Sequence, residues 1–276
     1  MKKKIRRIVL ILSLLLVVVW GIWENQALVR TDYTVTSDNL PQAFDGYRIL
    51  QISDLHNTRF GKDNVRLLTM IRDAQPDMIA ITGDMIDSRR TNTEVALAFA
   101  KEALKIAPCY YVTGNHEIRD EVLEEFLADL ESVGVTVLRG EAVQIPRDGQ
   151  WIHLVGIDDM SVVCKKLESE SMVARLMLER FESQHYTVLL AHRPEPFAVY
   201  ADLSFDLALT GHTHGGQIRL PWVGGLYGMG KLFPEYDAGL FQQNNTTMVV
   251  SRGLGNSLFP LRYFNRPEVV VITLQK

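Results

Sequence analysis

The chain has 276 residues, of which 47% are hydrophobic, with 29 basic and 33 acidic side chains. This length supports one large domain or two small ones, and the two cysteines exclude a disulfide-stapled mini-domain and a multi-cysteine zinc framework. Five of the basic residues lie within residues 2–7, which leaves 24 basic against 33 acidic residues, a net charge of −9, for the rest. Because nucleic-acid binders usually present a basic surface, this acidic body argues against a nucleic-acid partner.

An apolar segment without charges, residues 8–23, follows the basic tip. A bilayer core needs about 20 apolar residues, and Ile5 together with snorkelling basic side chains makes up part of the difference. Trp20 and Trp23 lie at its far end, where aromatic rings favour the lipid–water interface. We expect an uncleaved single-pass anchor in the cell membrane, with a cytoplasmic N-terminus and the rest of the chain outside. A cleaved signal peptide with export of the chain is the alternative.

The remaining sequence predicts an α/β domain, because short apolar runs alternate with segments of helical spacing. Residues 24–46 are polar and irregular, which indicates a stalk with an early strand. The expected strands are 48–53, 77–82, 109–113, 187–191, 206–210, 248–251 and 269–274. The expected helices are 63–74, 93–104, 120–132 and 167–184. We therefore divide the chain into the tip and anchor (1–23), the stalk (24–46) and one main domain (47–276).

Five of the expected strands end in residues that can bind a metal ion. These residues are Asp54-Leu55-His56, Gly83-Asp84-Met85-Ile86-Asp87, Gly114-Asn115-His116-Glu117, His192 and Gly211-His212-Thr213-His214. In open α/β sheets, the carboxyl ends of the strands form the ligand crevice. Side chains two positions apart in a strand point to one face, so Asp54 and His56 can converge on one ion. His212 and His214 can do the same, or reach two neighbouring ions.

The chemistry of this set suits Mn, Fe or Zn, because it combines carboxylate, imidazole and amide donors. Two carboxylates, one amide and four imidazoles are too many ligands for one tetrahedral site. Two metal ions about 3.5–4 Å apart, bridged by one carboxylate, would account for them. Each motif alone has an ordinary explanation, since Gly-Asp is often a turn and a histidine in an apolar setting is often a core residue. The ordered set of five favours the metal site.

This ordered set resembles the calcineurin-like metallophosphoesterases over about residues 47–276, and the anchor and the stretch 211–217 are similar to the membrane-associated bacterial branch of that superfamily. The resemblance implies a four-layer α/β/β/α sandwich of two mixed sheets, preceded here by one transmembrane helix. It implies two metal ions, with Asp84 as the bridge. The implied ligands are Asp54, His56, Asp84 and His214 for the first ion, and Asp84, Asn115, His192 and His212 for the second. Asp87 and Glu117 match groups that orient the ligands.

The implied activity is hydrolysis of a phosphate mono-, di- or pyrophosphate ester by a metal-bridged hydroxide. His116 matches the histidine that protonates the leaving oxygen. Arg59 and Arg119 follow the first and third motifs and could contact phosphate, or could equally be solvated surface side chains. A lipid-linked or nucleotide-sugar-lipid pyrophosphate is the alternative substrate. The remaining alternatives are an exported nuclease or phosphodiesterase of the same superfamily and a membrane-tethered metal-binding protein without activity.

Two stretches rich in glycine, proline and aromatic residues, 221–243 and 254–264, follow the last motif. Such stretches usually pack as irregular core, which is our expectation, and an apolar lid over a lipid-linked substrate is the alternative. Cys109 lies in an expected core strand. We therefore expect a buried free thiol there, although a disulfide with Cys164 remains open.

Overall fold

The computed structural model describes residues 2–163, 169–181, 184–228, 230–256 and 259–276. Its α-helices are α1 (Lys2–Glu24), α2 (Val65–Ala74), α3 (Thr93–Ala103), α4 (Asn115–Arg119), α5 (Leu123–Ser132), α6 (Glu170–Leu178) and α7 (Phe197–Asp202). Its strands are β1 (Val29–Thr36), β2 (Arg48–Ile52), β3 (Met78–Thr82), β4 (Cys109–Val112), β5 (Thr136–Val137), β6 (Glu141–Arg147), β7 (Gln150–Gly156), β8 (Thr187–Leu190), β9 (Leu207–Thr210), β10 (Arg219–Leu220), β11 (Gly224–Gly225), β12 (Tyr227–Gly228), β13 (Lys231–Leu232), β14 (Gly239–Gln243), β15 (Thr246–Val250) and β16 (Glu268–Gln275).

Two six-stranded mixed sheets form the centre of the molecule. The first has the order β1-β16-β2-β3-β4-β5, and the second has the order β14-β15-β9-β8-β7-β6. In the first sheet β2 to β5 are parallel, while β16 runs antiparallel to β2 and parallel to β1. In the second sheet β15, β9, β8 and β7 are parallel, and β14 and β6 pair antiparallel at the two edges. Both sheets are therefore mixed, as expected.

The alternation of side chains along each strand builds the layers. Ile49 of β2 points into an apolar layer between the two sheets, where it is fully buried with residues such as Leu190 and Leu209. Its neighbour Leu50 points to the opposite face and packs in the layer that α2, α3 and α5 cover. Tyr200 of α7 packs in a third apolar layer on the outer face of the second sheet. The four-layer α/β/β/α sandwich is thus confirmed.

Every expected strand is present, with bounds that differ by up to two residues at either end. The expected helices at 63–74, 93–104 and 120–132 are also present, although two of them begin two or three residues later than expected. The fourth, expected at 167–184, contains α6 and a single 3₁₀ turn (Glu179–Phe181) among the described residues. Residues 164–168 and 182–183 lie outside the described residues, and so does the Cys164 of the open disulfide question. Cys109 is a buried free thiol.

The N-terminal helix α1 is long and apolar enough to cross a membrane. Its apolar side chains are exposed to the surroundings of the protein, and Gly21 and Glu24 are the two buried residues within it. The polar segment that follows, residues 24–46, contributes β1, which pairs with β16 from Val29 opposite Glu268 to Thr36 opposite Gln275. The first sheet therefore starts directly after the helix.

Candidate metal centre

The five sequence motifs meet at one place, because β2, β3, β4, β8 and β9 all end at the same side of the two packed sheets. Gln51 joins the sheets just before this point. Its buried amide group donates to the carbonyl oxygen of Thr210 (2.8 Å) in the second sheet and to the hydroxyl of Thr82 (3.1 Å) in the first. The loops that follow these strands are therefore held at fixed separation.

One group of donor atoms consists of Asp54, His56, Asp84 and His214, all buried, with ligand atoms within 4.8 Å of one another. The Nε2 atoms of His56 and His214 lie 3.2 Å apart. His56 Nε2 is 3.5 Å from Asp84 Oδ2, and His214 Nε2 is 3.4 Å from Asp54 Oδ1. Asp54 Oδ1 is buried without a hydrogen-bond partner among the described residues. Two imidazole nitrogens and two carboxylate oxygens thus converge as the ligands of a cation do.

A second group consists of Asp84, His192 and His212. His192 Nε2 lies 3.3 Å from Asp84 Oδ2 and 2.9 Å from His212 Nδ1. The buried atoms Asn115 Oδ1 and His212 Nε2 have no hydrogen-bond partner among the described residues. Buried polar atoms are normally satisfied, so these atoms fit a bound metal ion. Asp84 belongs to both groups, and one of its oxygens faces a histidine of each.

Backbone carbonyl groups orient two of the histidines. His192 Nδ1–H donates to the carbonyl oxygen of Thr82 (2.7 Å), and His214 Nδ1–H donates to that of Gly255 (3.3 Å). A carbonyl oxygen only accepts, so Nδ1 of each ring carries a proton, and Nε2 is the nitrogen left to bind a metal ion. Metal-binding histidines are commonly held in this way by a hydrogen bond from their other nitrogen.

The backbone reaches this geometry by an unexpected route. We expected Asp54 and His56, and likewise His212 and His214, to share a face through strand alternation. That reason is wrong, because all four residues lie beyond the strands in the left-handed region, with φ of 54°, 45°, 72° and 49°. Asp84 also has a positive φ of 53°. Non-glycine residues in this region are uncommon and strained, and they concentrate at functional sites.

Glycines allow the closest contacts between these loops. A Cβ atom on Gly211 would collide with the hydroxyl of Ser53 and would lie 2.5 Å from Asp54 Oδ2. A Cβ atom on Gly114 would lie 2.5 Å from the backbone nitrogen of Asp84 and would collide with its carboxylate. At these two motif positions, glycine is required because a side chain would occupy the space of a ligand.

The buried carboxylate of Glu117 fixes the loop that carries Asp84. It accepts hydrogen bonds from the backbone N–H groups of Gly114 (2.7 Å), Asp84 (2.8 Å) and Ile86 (3.1 Å). Burial, followed by repulsion from Asp84, raises the pKa of Glu117 to about 7, although these N–H donors oppose the rise. Glu117 thus contacts the backbone of the ligand loops.

His116 stands beside the metal-binding groups, with its ring 4.5 Å from that of His56 between centroids. The backbone N–H of Ser88 donates to His116 Nδ1 (3.1 Å), and Asp87 Oδ1 lies 3.4 Å from the same nitrogen. The neutral ring accepting this bond carries its proton on Nε2. Asp87 is itself held by the guanidinium of Arg89, at 2.8 Å.

Charge and burial set the protonation of the histidine cluster. Burial lowers the pKa of His56 to about 4 and that of His214 to about 3, and it holds the pKa of His212 well below its ordinary value. These three rings are therefore neutral at pH 7, the form that binds metal. Burial also acts to lower the pKa of His192, but attraction to Asp84 outweighs it and raises the value to about 10. The Asp84 carboxylate thus attracts positive charge to the position that a cation would take.

A cavity of about 270 Å³ opens onto this centre. Its lining contains the expected residues Asp84, Asn115, His116, Arg119, His212 and His214, together with Ser88, Arg89, Thr213, Gln217, Tyr227, Gly228 and Gly230. Arg119 is thus placed at the cavity. Arg59 is exposed, and its carbonyl oxygen accepts a hydrogen bond from Gln26 near the end of α1.

Sequence reasoning did not single out the cavity residues Arg89, Gln217 and Tyr227. Arg89 had an available signal, because it follows Asp87 by two positions in the second motif. Gln217 ends the glycine-rich stretch of the fifth motif and, like His214, has a positive φ, of 60°. Tyr227 lies ten or more residues beyond every motif, so only the three-dimensional fold places it at the site.

Comparison with known proteins agrees with this geometry. Residues 47–216 match the family described as calcineurin-like phosphoesterase. The chain belongs to this family. It is 31% identical to the uncharacterized metallophosphoesterase YkuE of Bacillus subtilis over 91% of this chain and 87% of that protein. It is 32% identical to the phosphodiesterase YaeI of Escherichia coli over 83% of this chain and 82% of that protein.

A bovine relative, named transmembrane protein with metallophosphoesterase domain, is 32% identical over 89% of this chain, which spans 56% of its length. Among solved structures, TT1561 of Thermus thermophilus has a TM-score of 0.52 at 14% identity, with 75% of this chain and 90% of that chain covered. The sulfate thiohydrolase SoxB of Thermus thermophilus has a TM-score of 0.53 at 13% identity, covering 86% and 57%. These structures share the fold.

Proposed function

We propose that the protein hydrolyses a phosphate ester at this centre with two bound divalent metal ions. The observation that carries this proposal is the position of Asp84, whose Oδ2 lies 3.5 Å from His56 Nε2 and 3.3 Å from His192 Nε2. One carboxylate between two groups of histidines is the arrangement of a bridged dinuclear site. Family membership supports the reaction class.

The ligand sets follow from the two groups. Asp54, His56, Asp84 and His214 would hold one ion, and Asp84, Asn115, His192 and His212 would hold the other. When bound, Mn, Fe or Zn ions supply a hydroxide nucleophile at neutral pH and polarise the phosphate. Asp87 and Glu117 keep their neighbours in place through the contacts described above.

His116 is our candidate for the general acid. It lines the cavity, and the N–H of Ser88 at its Nδ1 leaves the proton on Nε2. Asp87 Oδ1 lies 3.4 Å from Nδ1 and would accept a hydrogen bond from Nδ1–H in a ring that carries both protons. That ring would give its Nε2 proton to the leaving oxygen and become neutral.

Arg119 and Arg89 both line the cavity and are candidates for contact with the phosphate group, because guanidinium groups bind phosphate in a bidentate manner. Arg89 is already paired with Asp87. The placement of Arg59 near the end of α1 favours a different role for that residue.

We propose a phosphodiester as the first substrate class to test, because the relative from Escherichia coli is named a phosphodiesterase. Monoesters and pyrophosphates remain in the proposal. A lipid-linked phosphate ester or pyrophosphate is the second candidate, supported by Trp222, which is fully exposed. Our expectation of irregular core in this stretch is wrong for Trp222 and Val223, since both side chains project from the surface.

We further propose that α1 anchors the protein in the cell membrane, with the N-terminus in the cytoplasm and the domain 47–276 outside. The helix and the relative named a transmembrane protein indicate anchoring. Five basic residues before the apolar run support this orientation through the positive-inside rule.

A panel of soluble substrates tests the reaction. The full chain in detergent would be assayed on an aryl phosphate, a bis-aryl phosphate and pyrophosphate, before and after EDTA, with metals measured on the same sample. Activity should disappear with the metals and return when Mn, Fe or Zn is added. Asp148→Asn, an exposed carboxylate in the turn between β6 and β7, is the control and should behave as wild type. Full activity of the metal-free protein would overturn the proposal.

A further inference from the structure

A group of large apolar side chains is exposed in two segments of the chain that follow the last motif. We call this group the anchor face. Its members are Leu220, Trp222, Val223, Leu232 and Phe233 in the first segment and Phe259 and Phe264 in the second. Trp222, Leu232 and Val223 are the most exposed, at 102%, 67% and 64%. Large apolar side chains exposed in such number are typical of a surface that has a partner.

The second segment is packed against the helix. The ring of Trp20 contacts those of Tyr263 and Phe264 edge-on, at 5.4 Å and 4.8 Å between centroids. The hydroxyl of Tyr263 donates to the carbonyl oxygen of Val17 (3.3 Å). Gly21 faces the same tyrosine ring so closely that a Cβ atom would lie 2.9 Å from it.

These contacts fix the depth of the second segment in a membrane. Val17 lies six residues before Trp23, which is about 9 Å along an α-helix. The apolar run 8–23 is slightly short for a bilayer core, so none of it can be spared outside. If α1 spans the membrane, Val17 is below the lipid–water interface, and Tyr263 and Phe264 must be there with it.

The first segment is attached to the second. The backbone N–H of Arg219 donates to the carbonyl oxygen of Tyr263 (3.0 Å), which holds the hairpin of β10 and β11 against this loop. Leu220 and Trp222 are in that hairpin. Its connection to Tyr263 places the hairpin at the same side of the domain as the helix.

The charges of these segments suit a lipid membrane as the partner. The ranges 218–234 and 251–267 contain no acidic residue, although the body of the protein has a net charge of −9. The guanidinium of Arg266 lies over the ring of Trp23, at 5.3 Å from its centroid. Exposed Arg59 and Arg66 contact Gln26, two residues after the helix. Basic side chains around a helix exit favour anionic lipid head groups.

We propose that the anchor face inserts into the bilayer leaflet that α1 leaves, so that the domain lies on the membrane rather than above it. The proposal rests on the proposed anchoring by α1, and the bilayer is the partner. Tyr227 and Gly228 line the cavity and follow the hairpin directly. A phosphate ester held in that leaflet would therefore reach the centre from the membrane side.

A probe of polarity at Trp222 tests the inference. The full chain carrying Trp222→Cys and Cys164→Ser would be labelled with an environment-sensitive dye and reconstituted in phosphatidylethanolamine–phosphatidylglycerol vesicles. Trp151→Cys in the same background is the control, because Trp151 is partly exposed on β7 of the second sheet. Nitroxide-labelled lipids should quench the dye at position 222 several-fold more than at 151. Val223→Cys should repeat the result at 222, and a circular dichroism spectrum that matches wild type shows that each variant is folded.

Other outcomes overturn the inference. If quenching is equal at 222 and 151 in protein that resists alkaline extraction from the vesicles, α1 still anchors the protein, but the anchor face does not insert into the bilayer. Protein that washes off the vesicles would overturn both. A dye at 222 that is shielded without lipid, in a concentration-dependent manner, would assign the face to a second copy of the chain instead. Aryl phosphate hydrolysis is independent of all three and reports only on the proposed reaction.

Discussion

The metal centre and the anchor face depart from ordinary burial in opposite directions. At the metal centre, polar atoms such as Asp54 Oδ1 and His212 Nε2 are buried without partners among the described residues. On the anchor face, Trp222 and Leu232 are apolar and exposed. A folded chain normally satisfies its buried polar groups and covers its large apolar patches. Each region therefore fits the partner proposed for it, a cation in one case and lipid in the other.

The two regions are also joined by hydrogen bonds. The carboxylate of Glu24, at the end of α1, accepts from the backbone N–H of Asn265 (3.0 Å). The amide group of Asn265 donates to the carbonyl oxygens of His214 (2.8 Å) and Gln217 (2.9 Å). A residue of the anchor thus lies one side chain away from a metal-binding loop.

The largest expected effect is loss of activity without loss of membrane association. Asp84→Asn removes the negative charge shared by both metal-binding groups, and we expect kcat/KM on an aryl phosphate to fall by at least about 10³-fold. Bound metal should fall in parallel, while the protein stays in the membrane fraction. Circular dichroism should match wild type. Metal-dependent activity within tenfold of wild type would contradict the bridging role.

Removal of the proposed proton donor, His116, should reduce activity less than Asp84→Asn does. We expect His116→Gln to lower kcat by about 10²–10⁴-fold, the usual contribution of general acid–base catalysis. Both metals should remain bound, because His116 is not among the proposed ligands. Substrates with good leaving groups should be affected least, since they need little protonation. Metal loss in this variant would make His116 a ligand instead.

A variant at the junction tests whether the regions are coupled. Asn265→Ala removes two hydrogen bonds to the His214 loop, worth about 1–3 kcal/mol together. We expect metal affinity to fall by about tenfold, with activity restored by excess metal. Asn245→Ala, in the exposed turn between β14 and β15, should change neither quantity. If excess metal fails to restore activity, Asn265 has a structural role only.

The last prediction concerns Cys109, which lies outside both regions. Burial raises the pKa of its thiol to about 12 because it penalises the thiolate, the reactive form. Relative to the ordinary value of 9.0, three pKa units correspond to about 1,000-fold less thiolate at pH 8. In a Cys164→Ser background, a thiol reagent should therefore react slowly with native protein and rapidly in denaturant. Rapid reaction without denaturant would show that β4 is accessible.

The sequence predicted the strands and the meeting of the candidate ligands at one place, because both have local signals. Runs such as 78–82 are apolar and bounded by turns, and the candidate ligands follow them directly. The expected bounds differ most where helices begin, as at α5, because the preceding residues form turns that helical spacing does not reveal. The reason given for the pairing of Asp54 and His56 was wrong. Side chains alternate between two faces only along a strand, and these residues lie beyond β2 with positive φ.

The contacts that join distant segments had no local signal. Arg262 is fully buried and donates to the carbonyl oxygens of Arg252 (3.0 Å) and Gly255 (2.5 Å), yet a sequence reading expects arginine at the surface. The packing of Trp20 on Phe264 joins residues more than 240 positions apart. Such contacts follow from the completed sheets, which bring the chain ends together.

The strand β16 lies inside the first sheet, between β1 and β2, although it is far from both in the sequence. β1 is complete at Thr36, but its neighbour begins only at Glu268. At translation rates of about 5–20 residues per second, this interval lasts roughly 10–50 s. Until then, β1 has no strand beside it and β2 has an open edge, the kind of edge that promotes wrong pairing. Deletion of the final nine residues would therefore remove an internal strand rather than a tail.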